Sequence, residues 1–249
     1  MEFFYVALLF ACSAIIGYLF GAIPNSVIIG KIFFHKDPRD IGSKNPGGTN
    51  VGRNFGLIAG MIVILLDGLK IIIPFLLSYF LFTRVTDFRN LLDYSNEINS
   101  FGRGNTLLQL AYYITPMFGI IGHCYSIFIK FSGGKAVSSY IGYCVGASWV
   151  AFPTFLIAFF TTIKIDKHVS AASIVSSGIY TIISWVIYIV YVFQGPIIAN
   201  YFMYFGLGPE VCIYFPIVAT IAFVIILIRH KQNIINLRNG TEGIAFWLK

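Results

Sequence analysis

The chain is 249 residues long, with 57% hydrophobic and 11% charged residues. A soluble globule needs about a quarter of its residues charged to cover its surface, so a water-soluble fold is excluded and the chain must be solvated by lipid. The net charge of +7 would suit nucleic acid, but the cations sit in short stretches between apolar blocks rather than along one soluble face, which points to membrane orientation instead.

Apolar blocks run at about 3–23, 55–82, 107–122, 136–163, 169–193 and 209–228. Their lengths centre on the ~20 residues that a helix rising ~1.5 Å per residue needs to cross ~30 Å of hydrocarbon. The first, Phe3 to Ala22, is preceded only by Glu2 and lacks the basic flank of a signal peptide, so it reads as a retained membrane helix. The fourth block, 136–163, holds Pro153 near its middle, where proline kinks or breaks a helix.

Loop charge decides between one crossing and two, because Lys and Arg in short loops favour the cytoplasmic side. Residues 31–53 carry five Lys/Arg against two Asp, 123–135 carry Lys130 and Lys135, 164–168 carry Lys164 and Lys167, and the tail from Arg229 carries four Lys/Arg against Glu242. Residues 83–106 balance three Arg with three acids, and 194–208 have no charge. Only a break near Pro153 puts all four basic segments on one side. The expected fold is therefore an all-α polytopic membrane protein, a single domain over 1–249. It has about seven transmembrane helices, the fourth and fifth short, the N-terminus outside and the C-terminus cytoplasmic. Cys12, Cys124, Cys144 and Cys212 form no CxxC pair and read as packing residues, with no disulfide framework and no metal site expected.

Three of the cytoplasmic segments combine glycine, small polar residues and cations at the edge of a membrane helix. The first, Asp37 to Gly56, sets Ser43, Lys44, Asn45, Thr49, Asn50 and Arg53 among five glycines. Glycine lets backbone amides turn toward an anion and Arg offers a planar fork for phosphate, although the same composition also suits an ordinary polar loop. In the second, Gly122 to Ser139, Gly133, Gly134 and Lys135 lead into an apolar helix. Amides at a helix start plus a lysine would cradle phosphate, but the spacing is not that of a Walker A loop. His123 reads either as a general base or ligand, or as a structural histidine at a helix end. The third, Arg229 to Glu242, reads by itself as a basic cytoplasmic tail, although its His230 and Asn233 are three apart and on a helix would share a face. Asp67 and Lys70 lie inside the second apolar block, where charge is costly and faces the protein interior. They read either as a structural ion pair or as part of a substrate site.

Taken in order, these segments resemble the bacterial acyl-phosphate:glycerol-3-phosphate acyltransferase family over nearly the whole chain. GSKNPGGTNVGR is similar to the family's GSGNxGATNxxR, GHCYSIFIKFSGGKAV to its GHxFPxxxxFKGGKGV, and RHKQNIINLRNGTE to its RHxxNIxRLxxGTE. Asp67 and Lys70 match a DxxKG-like pair. The chain departs at Lys44 and Pro46, at Gly48 for Ala, Ser126 for Pro, Ser132 for Lys and Ala136 for Gly, and 83–106 looks like an insertion.

The resemblance implies that Ser43, Arg53, Lys135, His230 and Asn233 gather around two phosphate-bearing substrates. Gly133 and Gly134 would supply backbone donors, with Thr49, Asn50, His123 and Glu242 in supporting roles. The implied reaction is attack by the position 1 hydroxyl of glycerol-3-phosphate on the carbonyl of a long-chain acyl phosphate, giving lysophosphatidic acid and inorganic phosphate. The site would face the cytoplasm of a bacterial plasma membrane, the acyl tail would lie among lipid, and no cofactor, metal or nucleic acid would take part. A substrate phosphate, with a second pKa near ~6, can accept the hydroxyl proton.

The competing reading from another class is a small anion or phosphate transporter, which should place polar groups near the bilayer midplane and show repeat symmetry. The polar groups here cluster at one face. His35 and Asp40 fit the HxxxxD spacing of other acyltransferases, but the accompanying FPEGTR-like segment is absent.

Overall fold

The computed structural model describes residues 2–92, 106–194, 209 and 211–248, and these are helical or irregular throughout, with no strand among them. In chain order the helices are α1 (Glu2–Ala22), α2 (Asn25–Phe34), α3 (Gly48–Phe55), α4 (Leu57–Arg84), α5 (Thr86–Leu92) and α6 (Thr106–Cys124), then α7 (Val137–Ala147), α8 (Phe152–Asp166), α9 (Val169–Gln194), α10 (Tyr214–Arg229) and α11 (Lys231–Arg238). The runs Phe4–Phe34, Leu57–Arg84 and Val169–Phe193 are each long and apolar enough to cross a membrane. Most of the uncharged stretch 194–208, and residues 93–105 of the charge-balanced stretch, lie outside the described residues.

The fourth apolar block is two helices. α7 has 11 residues and α8 has 15, about 16 and 22 Å long and so each shorter than ~30 Å of hydrocarbon. Pro153 sits in the first turn of α8, where its missing N–H would have had no helical partner anyway. The Ser148 hydroxyl accepts the Ala151 N–H at 3.1 Å, closing the turn between the two.

Lipid is as apolar as a leucine side chain, so the bundle depends on close packing and internal hydrogen bonds more than on hydrophobic burial. Small residues set the closest approaches. Gly17 and Gly21 of α1 lie on the backbones of Thr115 and Gly119 in α6, and Gly68 of α4 lies on Gly142 of α7. Above these contacts an aromatic core fills the middle, with Phe75, Tyr112, Tyr113, Tyr140, Tyr143, Tyr180 and Phe215 all buried. The hydroxyls of Tyr143, Tyr140 and Tyr180 are answered internally: Tyr143 donates to the Phe215 carbonyl at 2.5 Å, Tyr140 bonds the Thr181 hydroxyl at 2.9 Å and Tyr180 donates to the Cys144 carbonyl at 3.3 Å.

Two helices lie outside the apolar blocks that the sequence marks as spans. α2 follows a break at Ile23 and Pro24, and α3 forms within the glycine-rich first segment. There Gly48 and Gly52 press against Gly60 of α4, and a Cβ at Gly60 would lie 2.7 Å from the Gly52 Cα. These glycines serve close helix approach rather than a free anion-binding turn.

Candidate functional site

At one end of the bundle the starts of α3, α7 and α9 meet the ends of α6 and α10, with α11 and the chain's tail across them. Together they enclose a cavity of about 290 Å³. Ser43, Thr49, Asn50, Arg53, His123, Lys135, His230, Asn233 and Glu242 all line it, whereas Gly133 and Gly134 do not. Ile64, Ile141 and Phe159 give it an apolar wall.

Asn50 is the scaffold of the first segment. Its Oδ1 accepts the Ser43 N–H at 2.9 Å, and its Nδ2 donates to the carbonyls of Pro38 at 2.7 Å and Ile41 at 3.1 Å. The loop before α3 is thereby folded back so that Ser43 stands at the cavity. Arg53, one turn along α3 from Asn50, is exposed and makes no ion pair among the described residues.

The glycine pair behaves otherwise than expected. Gly133 donates its N–H to the Cys124 carbonyl at 3.0 Å and Gly134 to the His123 carbonyl at 3.1 Å, so neither amide is free to bind an anion. Their carbonyls in turn accept from Arg229, Nη2 to Gly133 at 2.7 Å and Nε to Gly134 at 3.1 Å. A Cβ at Gly133 would lie 2.6 Å from the Cys124 carbonyl oxygen, which is why the position needs glycine. The pair is a structural hinge that delivers Lys135. The next residue, Ala136, is held at φ +69°, in the left-handed region that glycine adopts more easily.

His230 sits at the 59° bend between α10 and α11. Its Nδ1 lies 2.8 Å from the Ile226 carbonyl oxygen. A carbonyl can only accept, so Nδ1 carries the proton and Nε2 is left with a lone pair. Burial lowers the imidazole pKa to about 4, and the ring is neutral at pH 7. Lys135 donates to Asn233 Oδ1 at 2.5 Å, Asn233 Nδ2 donates to Glu242 Oε1 at 2.7 Å, and the Ser170 hydroxyl donates to the same oxygen at 2.8 Å. Burial lowers the pKa of the Lys135 ammonium, with Glu242 opposing the shift.

Asp67 and Lys70 form a buried ion pair at 2.9 Å and do not line the cavity. Lys70 also donates to the Ile23 carbonyl at 2.7 Å, while Asn25 at 3.0 Å and Ser138 at 3.2 Å donate to Asp67. The pair thus ties the α1–α2 break and the start of α7 to α4, which is the structural alternative. His123 lies between it and the cavity, its Nδ1 3.9 Å from Asp67.

Sequence reasoning missed Arg229, although it lies within the third segment, because nothing local says that a guanidinium will bond two carbonyls some 95 residues away. It also missed Ser170, which belongs to none of the three segments and carries no sequence signal beyond a serine-rich helix start.

Chemically the cavity offers two cations, Arg53 and Lys135, beside hydroxyls and a neutral imidazole, next to an apolar wall. Its one carboxylate, Glu242, is already engaged by Asn233 and Ser170. That combination suits phosphate groups attached to something greasy. Similar proteins agree. A glycerol-3-phosphate acyltransferase of Mycoplasma capricolum is 30% identical, covering 98% of this chain and 94% of its own, and one of Staphylococcus aureus is 31% identical, covering 94% and 96%. The fold is shared with PlsY, an integral membrane glycerol 3-phosphate acyltransferase solved in its glycerol 3-phosphate form. That match has 24% identity over 94% of each chain and a TM-score of 0.67. The sequence model of the glycerol-3-phosphate acyltransferase family matches residues 11–240, and the chain belongs to that family.

Proposed function

We propose that the protein acylates the position 1 hydroxyl of glycerol-3-phosphate with a long-chain acyl phosphate, releasing lysophosphatidic acid and inorganic phosphate. The observation that carries this reading is that Ser43, Arg53, Lys135 and His230, from three segments far apart in sequence, line one cavity with an apolar wall. Phosphate is a good leaving group, so the site mainly has to hold two anions in line and offset charge developing on the carbonyl oxygen. Arg53 and Lys135 meet the phosphates, and Asn233 aims Lys135. The hydroxyl proton passes to the phosphate of glycerol-3-phosphate itself. A His230 ring with a pKa near 4 is a weak proton acceptor at neutral pH, which supports a positioning role for it.

On this reading residues 1–249 act as one membrane domain of seven spans in a bacterial plasma membrane, with the cavity on the cytoplasmic side and the N-terminus outside. Three of the four basic stretches contribute residues to the cavity lining, and Lys167 of the fourth accepts the Ala245 N–H of the tail at 2.9 Å, a clustering that supports this orientation under the positive-inside rule. A cysteine introduced at Asn90 and labelled only from the cytoplasmic side would overturn this orientation.

The deciding assay gives purified protein glycerol-3-phosphate with acyl phosphate, acyl carrier protein thioester or acyl-CoA in parallel. Lysophosphatidic acid and inorganic phosphate should appear together with acyl phosphate. Product from a thioester alone would overturn the donor, and no product from any of the three would overturn the activity.

A further inference from the structure

Ser170 is the second residue of α9 and is buried. Within a helix a serine hydroxyl commonly donates to a carbonyl three or four residues back. This one donates outward, to Glu242 Oε1 at 2.8 Å. The same oxygen accepts Asn233 Nδ2 at 2.7 Å, and Asn233 Oδ1 receives the Lys135 ammonium at 2.5 Å. The result is a single line of hydrogen bonds from α9 to the cavity lysine.

We propose that Ser170 is a positioning residue for the acyl transfer, fixing through Glu242 the orientation of the Asn233 amide that holds Lys135 toward the phosphate-bearing substrate. This rests on the acyltransferase reading of the same cavity. A carboxylate only accepts and an ammonium only donates, so the amide between them has one orientation that satisfies both. Flipped, it would set its NH₂ against the ammonium and its carbonyl against the carboxylate. That selection works only while Glu242 stays in place. Glu242 belongs to a tail whose anchor is Ala245, buried beside Ile163 and Ala172 and bonded through its N–H to the Lys167 carbonyl. The anchor fixes the backbone and Ser170 fixes the carboxylate. Without the Ser170 hydroxyl, Glu242 can turn toward Lys135 and pair with it directly, and the substrate phosphate must then displace a carboxylate that is part of the protein.

The test compares two nearly isosteric variants, Ser170→Thr and Ser170→Val, by steady-state kinetics on glycerol-3-phosphate, with melting temperature as the fold control. Losing a hydrogen bond to a charged group should lower kcat/KM about ten-fold in Ser170→Val, mainly through KM, while Ser170→Thr regains most of the loss. Within the residual activity of Asn233→Ala, adding Ser170→Val should cost nothing more, since the line is already cut. Equal losses in Thr and Val, an undiminished Val effect in the Asn233→Ala background, or a lowered melting temperature with activity per folded enzyme preserved would each overturn the proposal. Absence of product from the wild-type enzyme would overturn the acyltransferase reading instead, so the two failures are distinguishable.

Discussion

Two lysine–carboxylate arrangements lie near the same end of the bundle and are built differently. Lys70 touches Asp67 at 2.9 Å, both side chains are nearly inaccessible, and the hydrogen bonds to them involve the Ile23 carbonyl, Asn25 and Ser138. Lys135 and Glu242 do not touch; the amide of Asn233 stands between them, 2.5 Å from one and 2.7 Å from the other. Direct contact neutralises both charges and makes a strut. An interposed amide orients the cation while leaving its charge to act on a third party. In this protein the first arrangement holds α1, α4 and α7 together, and the second faces the cavity.

Breaking the strut should have the largest effect. Lys70→Met leaves Asp67 as an unpaired buried charge, a loss of about 3–5 kcal/mol, and thermal unfolding of purified protein in detergent should show it as a strongly lowered midpoint. Replacing both partners with apolar residues should recover much of that stability, because no orphaned charge remains. A single Lys70→Met variant that melts with the wild type would remove the distinction between the two arrangements.

Lys135→Ala should do the reverse, keeping the melting temperature and losing turnover. Removing one preorganised donor to developing charge costs about 10²- to 10³-fold in kcat, and Arg53→Ala should behave alike. A Lys135→Ala protein that unfolds as readily as Lys70→Met would show that this lysine, too, is structural.

The third test uses the neutral histidine beside the second arrangement. Folded His230 takes its proton at about pH 4, whereas its ordinary pKa is 6.5. Between these values the unfolded chain binds the extra proton and the folded one does not, so acidification from pH 6.5 to 4 costs about 3 kcal/mol of stability. In His230→Gln this contribution is absent. The stability difference between wild type and variant should therefore move against the wild type by that amount as pH falls, and an unchanged difference would mean that His230 titrates normally in the folded protein.

How far these features could be read from sequence depends on the range of the forces behind them. Apolar block length and Pro153 are local, so the long apolar helices and the split of the fourth block were legible, whereas α2 and α3 were not. Asp67 and Lys70 are three apart, so their pairing was legible as well. Its partner Ile23 is 47 residues from Lys70 and was not. Composition misled where glycine was concerned, because one residue type answers two needs. Gly48 and Gly52 let α3 lie on α4, and Gly133 and Gly134 lie so close to the His123 and Cys124 carbonyls that their amides are used there. A glycine-rich, cation-rich segment marked the right place in the chain but not which atoms stay free. The amide of Asn233 and the hydroxyl of Ser170 have meaning only through Glu242, nine and 72 residues away.

The smallest expected effect separates residues that line the cavity from those that merely sit beside it. Lys44 and Ala136 are the two positions where the resembling family's motifs have glycine, and both have left-handed backbone, φ +57° and +69°. A side chain in that region costs about 1 kcal/mol relative to glycine. Lys44 is exposed and does not line the cavity. Lys44→Gly should therefore stabilise the fold by about 1 kcal/mol and leave turnover nearly unchanged. Ala136 is fully buried in the core, and losing its methyl forfeits about 0.8 kcal/mol of burial, so Ala136→Gly should come out close to neutral. Thermal melts of the two variants, with turnover measured alongside, test both the backbone argument and the assignment of the phosphate-holding cations. A fall in turnover for Lys44→Gly comparable to that for Lys135→Ala would mean that the exposed lysine, not the amide-held one, meets the substrate, and the contrast between the two lysine–carboxylate arrangements would lose its functional half.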